Sequence, residues 1–431
     1  MIQQSLFAEF PVPASFVNRR TTDVTFKGKL SLPIHRWYRL TPSFSPKLAI
    51  DIAEHFGVTP EGFVLDPFSG VGTVPLCMKY RGIPACSIEL NPYLHFVGTV
   101  KTRTYADLPN VREFFDSFLV RARKEVSAIP KGKAVAEFLE KNARYIPPIH
   151  KPERWWSPMN LAQLACIRRL LLESTDTGEH IDLLKMGVLG ILIQVSNAKH
   201  NHVSLTFAKE PLPTVDVVGV LADKLGDIID DIDAVSVLPC SAVRVYAGNS
   251  KEAASVLPQR PEVSAVITSP PYPNRFSYAR ETRPHLFFFN MIESAEAVGQ
   301  LEIDAIGGTW GKATSVLMDG VEPANAVVRK LLAPHLDRAH REGNGDLMSA
   351  YVVKYFNDLY THAEQIGMVC REKAKLAYVI GNSKFFGNPL PSDEILAGIF
   401  GHFGFALDGI HKMRRRVSKA DLYEAVVMMS R

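Results

Sequence analysis

The residues best suited to chemistry in this chain are Ser269-Pro270-Pro271-Tyr272, which follow directly on the run Val263–Thr268. That run is β-branched apart from small residues and reads as a buried strand, which the two prolines end abruptly. Proline lacks an N–H and has a fixed φ, so the loop is stiff and both proline carbonyls are left as acceptors before any ligand arrives. A hydroxyl, an acceptor carbonyl and an aromatic face at one strand end suit a flat ligand with an exocyclic amine. An adenine or a cytosine lifted out of its stack is such a ligand. Taken alone, the same four residues would serve as the turn closing an ordinary edge strand.

A second motif shifts that balance. Val64-Leu-Asp-Pro-Phe-Ser-Gly-Val-Gly-Thr73 is a short apolar strand entering a glycine-rich turn, and Ala85-Cys-Ser-Ile-Glu-Leu-Asn91 is a second strand ending in an acid. Gly70 and Gly72 let backbone approach a ligand closely, and Glu89 at the next strand tip is placed to hold a ribose diol. No Gly-Lys-Ser/Thr follows, so the turn is not a phosphate-binding P-loop, nor is it G-x-G-x-x-G. Asp66 beside the turn opposes a pyrophosphate but welcomes an ammonium or a sulfonium.

Together, D-P-F-S-G-V-G-T and T-S-P-P-Y resemble the S-adenosylmethionine-dependent DNA amino-methyltransferases. The resemblance implies an α/β fold, a Rossmann-like class I methyltransferase sheet with a helical insertion, built from about 41–100, 243–292 and 375–431. It implies catalytic roles for Ser269, Pro270, Pro271 and Tyr272. S-adenosyl-L-methionine would be held by Ser45, Asp66, Phe68, Ser69, Gly70, Gly72, Thr73, Glu89 and Leu90, with Asn249, just past the strand Val243–Ala247, meeting its adenine. In this family T-S-P-P-Y usually goes with cytosine N4 and D-P-P-Y or N-P-P-Y with adenine N6, so Ser269 favours cytosine. The order of motifs, cofactor loop first, departs from many cytosine-N4 enzymes and keeps adenine N6 open.

The elements that must position these groups alternate between strand and helix. Apolar residues at 48, 49, 52, 53 and 56 keep helical spacing, with Ser45 and Pro46 as N-cap and first turn. Asn91 and Pro92 are expected to turn the chain. Segments 114–126, 161–173 and 181–195 read as helices, which makes 105–240 a mostly helical insertion and the candidate target-recognition region. It separates an N-terminal segment and cofactor-binding half, 1–104, from a catalytic half, 241–431. Within the insertion Lys199 and His200, with His202, are placed to touch DNA or are simply solvated. The two histidines have no third partner, so no metal is expected. Arg275 and Arg283, with Arg280 between them, are candidate phosphate contacts, an ion pair with Glu281 being the structural alternative. The glycine-rich stretch 305–315 reads as a mobile loop near the site, 347–372 as a helix and 375–380 as a strand. Lys384 and Phe385, or Phe386, would follow that strand as a backbone contact and the second face of a base slot. A hairpin from 405–410 and 423–429 closes the sheet, its basic run 411–416 being either a solvated turn or a DNA-facing edge.

With 431 residues and 46% apolar content the chain can bury a large core, and a net charge of +4 permits nucleic-acid binding without requiring it. The five cysteines show no C-x-x-C spacing and read as core residues or free thiols. Cys240 follows a proline, but outside any strand-end loop, so a cysteine nucleophile for carbon-5 methylation is not expected. No signal peptide and no bilayer-length apolar run is visible, so a cytoplasmic protein acting on double-stranded DNA is expected, with a possible restriction or defence partner. The competing classes are an RNA base methyltransferase, a non-catalytic nucleic-acid-binding protein and, remotely, a nicotinamide dehydrogenase.

Overall fold

A computed structural model describes residues 16, 21–201, 204–257, 262–308, 311–339, 345–385, 388–416 and 421–431. Its strands are β1 (Val64–Asp66), β2 (Ala85–Glu89), β3 (Ala198–Asn201), β4 (Ser204–Phe207), β5 (Val243–Ala247), β6 (Val263–Thr268), β7 (Cys370–Gly381), β8 (Ser383–Phe385), β9 (Asn388–Leu390), β10 (Ala406–Arg415) and β11 (Tyr423–Ser430). Seven of them form the main sheet in the order β10-β11-β7-β6-β1-β2-β5. The pairings β5-β2-β1-β6-β7 are parallel, and β11 lies antiparallel to both β7 and β10. This is the expected Rossmann-like, mostly parallel sheet, closed by the expected terminal hairpin.

Alternation along the strands divides the core. Val64, Ala265, Ile267, Ala377, Val379, Val426 and Met428 point to one face, and Leu65, Val266, Leu376, Tyr378, Ile380, Val427 and Met429 to the other. The first face is covered by α1 (Pro46–His55) and α2 (Thr73–Lys79). Next along the chain is α3 (Pro92–Thr102), where the structure departs from the expected turn. The Asn91 side chain accepts from the N–H groups of Tyr93 and Leu94 at 3.0 and 3.3 Å, and Pro92 occupies the first turn, so the pair starts a helix.

The insertion carries α4 (Leu108–Ser127), α5 (Pro158–Leu172), α6 (Glu179–Ile191) and α7 (Val217–Val235). They share one apolar cluster with Tyr93, Leu94, Val97 and Val100 of α3. The insertion is not wholly helical, because β3 and β4 form a hairpin between α6 and α7. Beyond β6 come α8 (Tyr278–Glu281), α9 (Arg283–Phe288), α10 (Ala295–Asp304), α11 (Lys312–Met318) and α12 (Ala326–Ala339). Where a loop over 305–315 is expected, the chain enters α11, and residues 309–310 lie outside the described residues. Then α13 (Gly345–Val369) and α14 (Ser392–His402) cover the second face of the sheet.

Candidate active site

Strand order reverses between β1 and β6: the chain runs outward from β1 through β2 to β5, then resumes on the other side at β6. Side chains at the carboxyl ends of the strands flanking such a reversal face a crevice, the usual ligand site of open α/β sheets. A cavity of about 810 Å³ opens there. Its wall includes Asp66, Glu89, Gly248 and Ser269, each from the end of a different parallel strand or just beyond it.

The glycine loop forms one side. Gly70 and Gly72 have φ of +52° and +73°, in the left-handed region where glycine carries no Cβ penalty. A Cβ on Gly72 would stand 2.9 Å from the Cα of Gly98, so this turn also packs backbone against α3. The buried Lys101 ammonium, on the same helix, donates to the Val71 carbonyl at 2.9 Å. Gly70 and Asn91 donate their N–H groups to the Glu89 carboxylate at 2.7 and 2.8 Å. Burial nevertheless raises the pKa of Glu89 to about 8. Asp66 accepts from the Thr268 hydroxyl at 2.6 Å and the Phe68 N–H at 3.1 Å, and burial raises it to about 7. A buried and a half-buried carboxylate, both with their pKa raised toward neutrality, suit a ligand that brings a positive charge and a diol.

The remaining expected cofactor residues divide. Phe68, Ser69, Gly70, Thr73, Leu90 and Asn249 line the cavity, whereas Ser45 and Gly72 support its wall from behind. The buried Thr73 Oγ1 has no hydrogen-bond partner among the described residues, nor has the Ser45 Oγ, which makes no cap bond to α1. The orphaned Thr73 hydroxyl, on the cavity wall at the glycine turn, fits a polar ligand that completes it, and on this ground the residues present fit S-adenosylmethionine. Phe68 packs at 4.7 Å on His362, whose own ring meets the Tyr378 hydroxyl at 2.8 Å and whose burial lowers its pKa to about 3. The Asn249 amide is already engaged: Oδ1 accepts from the Lys251 N–H and Nδ2 donates to the Asp304 carbonyl. The cofactor would therefore meet the wall that Asn249 braces.

The proline loop forms the other side. Ser269 Oγ donates its proton to the Val379 carbonyl on β7 at 3.0 Å, leaving the oxygen's lone pairs as acceptors. The Pro270 carbonyl has no partner among the described residues. The Pro271 carbonyl, expected to be equally open, instead accepts the Tyr355 hydroxyl at 2.7 Å. The Tyr272 ring lies against Gly381, where a Cβ would come within 3.1 Å of its Cδ2, and the Arg416 guanidinium stands 5.9 Å from its centroid.

Of the expected nucleic-acid contacts, Arg275 lines the cavity, joined by Arg280, and both are exposed. Arg283 starts α9, half-buried and away from the cavity. Lys384 pairs with Asp421 at 3.1 Å and Phe385 meets the ring of Tyr351 edge-on at 5.8 Å, neither lining the cavity. Lys199 is exposed on β3, the His200 backbone belongs to the same strand, and His202 and Phe386 lie outside the described residues. Leu205 of β4 does reach the cavity, and its N–H donates to Glu281 at 2.8 Å, so that carboxylate anchors the insertion's hairpin while it also feels the charge of the neighbouring Arg280. Lys27 and Arg416 join Arg275 and Arg280 on a basic rim, where Arg414 is paired with Glu424 at 2.8 and 2.9 Å; the run 411–416 signalled Arg414 and Arg416 in sequence. Cys240 is exposed and does not line the cavity. Among the described residues no cluster of three metal-ligating side chains occurs, and no helix is long and apolar enough to cross a membrane.

No family model matches the chain. An rRNA methyltransferase, aviRa from Streptomyces viridochromogenes, overlays with a TM-score of only 0.28 at 11% identity, across 90% of this chain and 86% of that one. Among characterised sequences, the Type II methyltransferase M.AvaI of Nostoc sp. is 23% identical, across 90% of this chain and 82% of that protein. The Type II methyltransferase M.BsoBI of Geobacillus stearothermophilus is 24% identical, across 91% of this chain and 82% of that protein. A Rossmann-like sheet with its cavity at the strand reversal thus stands in a chain that is similar, over nine-tenths of its length, to Type II methyltransferases.

Proposed function

We propose that this chain is a DNA methyltransferase that moves a methyl group from S-adenosylmethionine to N4 of a cytosine flipped out of the duplex, as the modification arm of a restriction or defence system. The observation that carries this reading is the state of the proline loop: the Ser269 proton is directed to Val379, and the Pro270 carbonyl is open beside it. An exocyclic amine is a poor nucleophile because its lone pair is delocalised into the ring. Two acceptors on its two protons turn that lone pair out of conjugation and aim it. The bound cofactor would supply an electrophilic methyl on a sulfonium. Asp66 and Glu89 orient that group, Tyr272 offers its ring to the flipped base, and the basic rim holds phosphates. As the N–C bond forms and the S–C bond breaks, the surplus amine proton leaves to water. No side chain is modified, in keeping with the absence of cysteine from the cavity wall.

The assignment to cytosine rests on serine at position 269, and the Type II relatives support DNA as substrate. Purified protein incubated with duplex DNA and methyl-labelled cofactor, followed by nucleoside analysis, tests it. Label in N4-methylcytosine is expected. Label in N6-methyladenine would overturn the base, and label accepted only by RNA would overturn the substrate.

A further inference from the structure

Tyr351 and Tyr355 lie one turn apart on α13, both fully buried, and neither lines the cavity. Their hydroxyls nevertheless grip the catalytic loop at two points. Tyr355 donates to the Pro271 carbonyl at 2.7 Å, and the Arg275 N–H donates to the Tyr351 oxygen at 3.3 Å. A single helix thereby holds both ends of the stretch 271–275. Within it Arg275 has φ of +60°, a left-handed conformation that a residue with a side chain keeps only where its surroundings over-determine it. The same tyrosines support the opposite wall. A Cβ on Gly307 would stand 3.2 Å from Tyr355 Cδ2 and 3.5 Å from the Tyr351 hydroxyl, so the segment carrying Ile306 and Gly308 rests on them. The helix is fixed in turn to the end of β5. Asp358 accepts from Lys251 at 3.1 Å and Lys354 at 2.6 Å, and His362 meets the Ser250 carbonyl at 3.3 Å.

We propose that Tyr351 and Tyr355 form a clamp that sets the conformation of the catalytic loop, with Tyr355 choosing which proline carbonyl the substrate amine meets. By occupying the Pro271 carbonyl, Tyr355 leaves the Pro270 carbonyl and the Ser269 hydroxyl as the acceptor pair. By holding Arg275, Tyr351 fixes the loop's exit and so the place of Tyr272. These are positioning residues, acting through the loop without touching substrate, and the inference rests on the methyl-transfer reading above.

Tyr351→Phe and Tyr355→Phe each remove one oxygen and leave the core volume intact. The test follows hydrogen exchange of the backbone amides across 269–277 in cofactor-free protein. Alongside it runs single-turnover methyl transfer at saturating DNA, with separate cofactor and DNA affinities. Faster exchange in that segment is expected in both variants, with the central strands unchanged. The Tyr355→Phe single-turnover rate should fall about ten- to a hundredfold while both affinities stay near wild type. Wild-type exchange in both variants, an unchanged rate despite faster exchange, or a loss carried wholly by weaker binding would each overturn the clamp. If wild-type protein moves no methyl to DNA, the methyl-transfer reading fails by itself. The exchange comparison then still decides whether the two hydroxyls hold the loop.

Discussion

Glu89 and Asp66 make the residue scale experimentally accessible, because burial holds both carboxylates above their ordinary range, with the Asp66 charge adding to the rise at Glu89. A ribose diol donates to a carboxylate best when it is ionised, so binding must release the Glu89 proton. Cofactor affinity should therefore climb with pH, by up to about tenfold per unit, and level off above the Glu89 value of about 8. Calorimetric titration across that range should show the rise in wild type and a flatter profile in Glu89→Gln; a flat wild-type profile would remove Glu89 from the diol. The stability sign is the reverse. Between the ordinary value of 4.5 and about 8 the folded protein retains a proton that the unfolded chain has lost, so cofactor-free protein should lose stability as pH rises through that window. In sequence, Asp66, Glu89 and Ser269 can be singled out as candidates because each sits at a strand end beside a turn signal and because the two motifs together carry a family resemblance. Tyr355 is out of reach of such reasoning: it meets its partner across 84 positions, and in sequence it is one more apolar residue of a helix.

Two glycines separate the elements' needs from the ligand's. Gly72 adopts a left-handed φ and abuts the Gly98 backbone, whereas Gly70 has a similar φ with open space where its Cβ would be. Gly72→Ala should therefore cost the fold about 2 kcal/mol or more, and Gly70→Ala only about 1 kcal/mol. Thermal melts should show the difference in that order, and equal melting temperatures would contradict the close approach of the loop and α3. Asn91 shows why element boundaries are harder to read than elements. Asn-Pro is a turn signal and a helix start alike, and what selects the helix is the apolar series Tyr93, Leu94, Val97 and Val100 packing on the insertion. The strands Val243–Ala247 and Val263–Thr268 were legible to the residue, since β-branched runs between turn formers leave little alternative. The β3-β4 hairpin is not legible, because each strand is only four residues long and its pairing is supported from a distance, by the Leu205 N–H bond to Glu281.

On the scale of the whole molecule, sequence pattern anticipated which segments join the sheet but not how the insertion closes over it. Its helices share a core with α3, and its hairpin reaches the cavity beside α8. That arrangement surrounds one opening with Lys27, Arg275, Arg280, Arg414 and Arg416, drawn from distant parts of the chain. DNA binding should accordingly weaken with salt, log K falling linearly with log salt. Arg416→Ala should reduce the magnitude of that slope by about 1 if its guanidinium meets a phosphate. An unchanged slope would confine Arg416 to its contacts with Tyr272 and Asn382.

The most direct test of the central claim, methyl transfer to a base amine at the Ser269–Tyr272 loop, is made in cells. The protein and its Ser269→Ala, Tyr272→Ala double variant are expressed in a methylation-free bacterial host, and the genomic DNA is sequenced by a method that distinguishes N4-methylcytosine from N6-methyladenine. The account predicts N4-methylcytosine at one short motif with wild-type protein and none with the variant. The same mark persisting in the variant, or no methylated base with either protein, would contradict it.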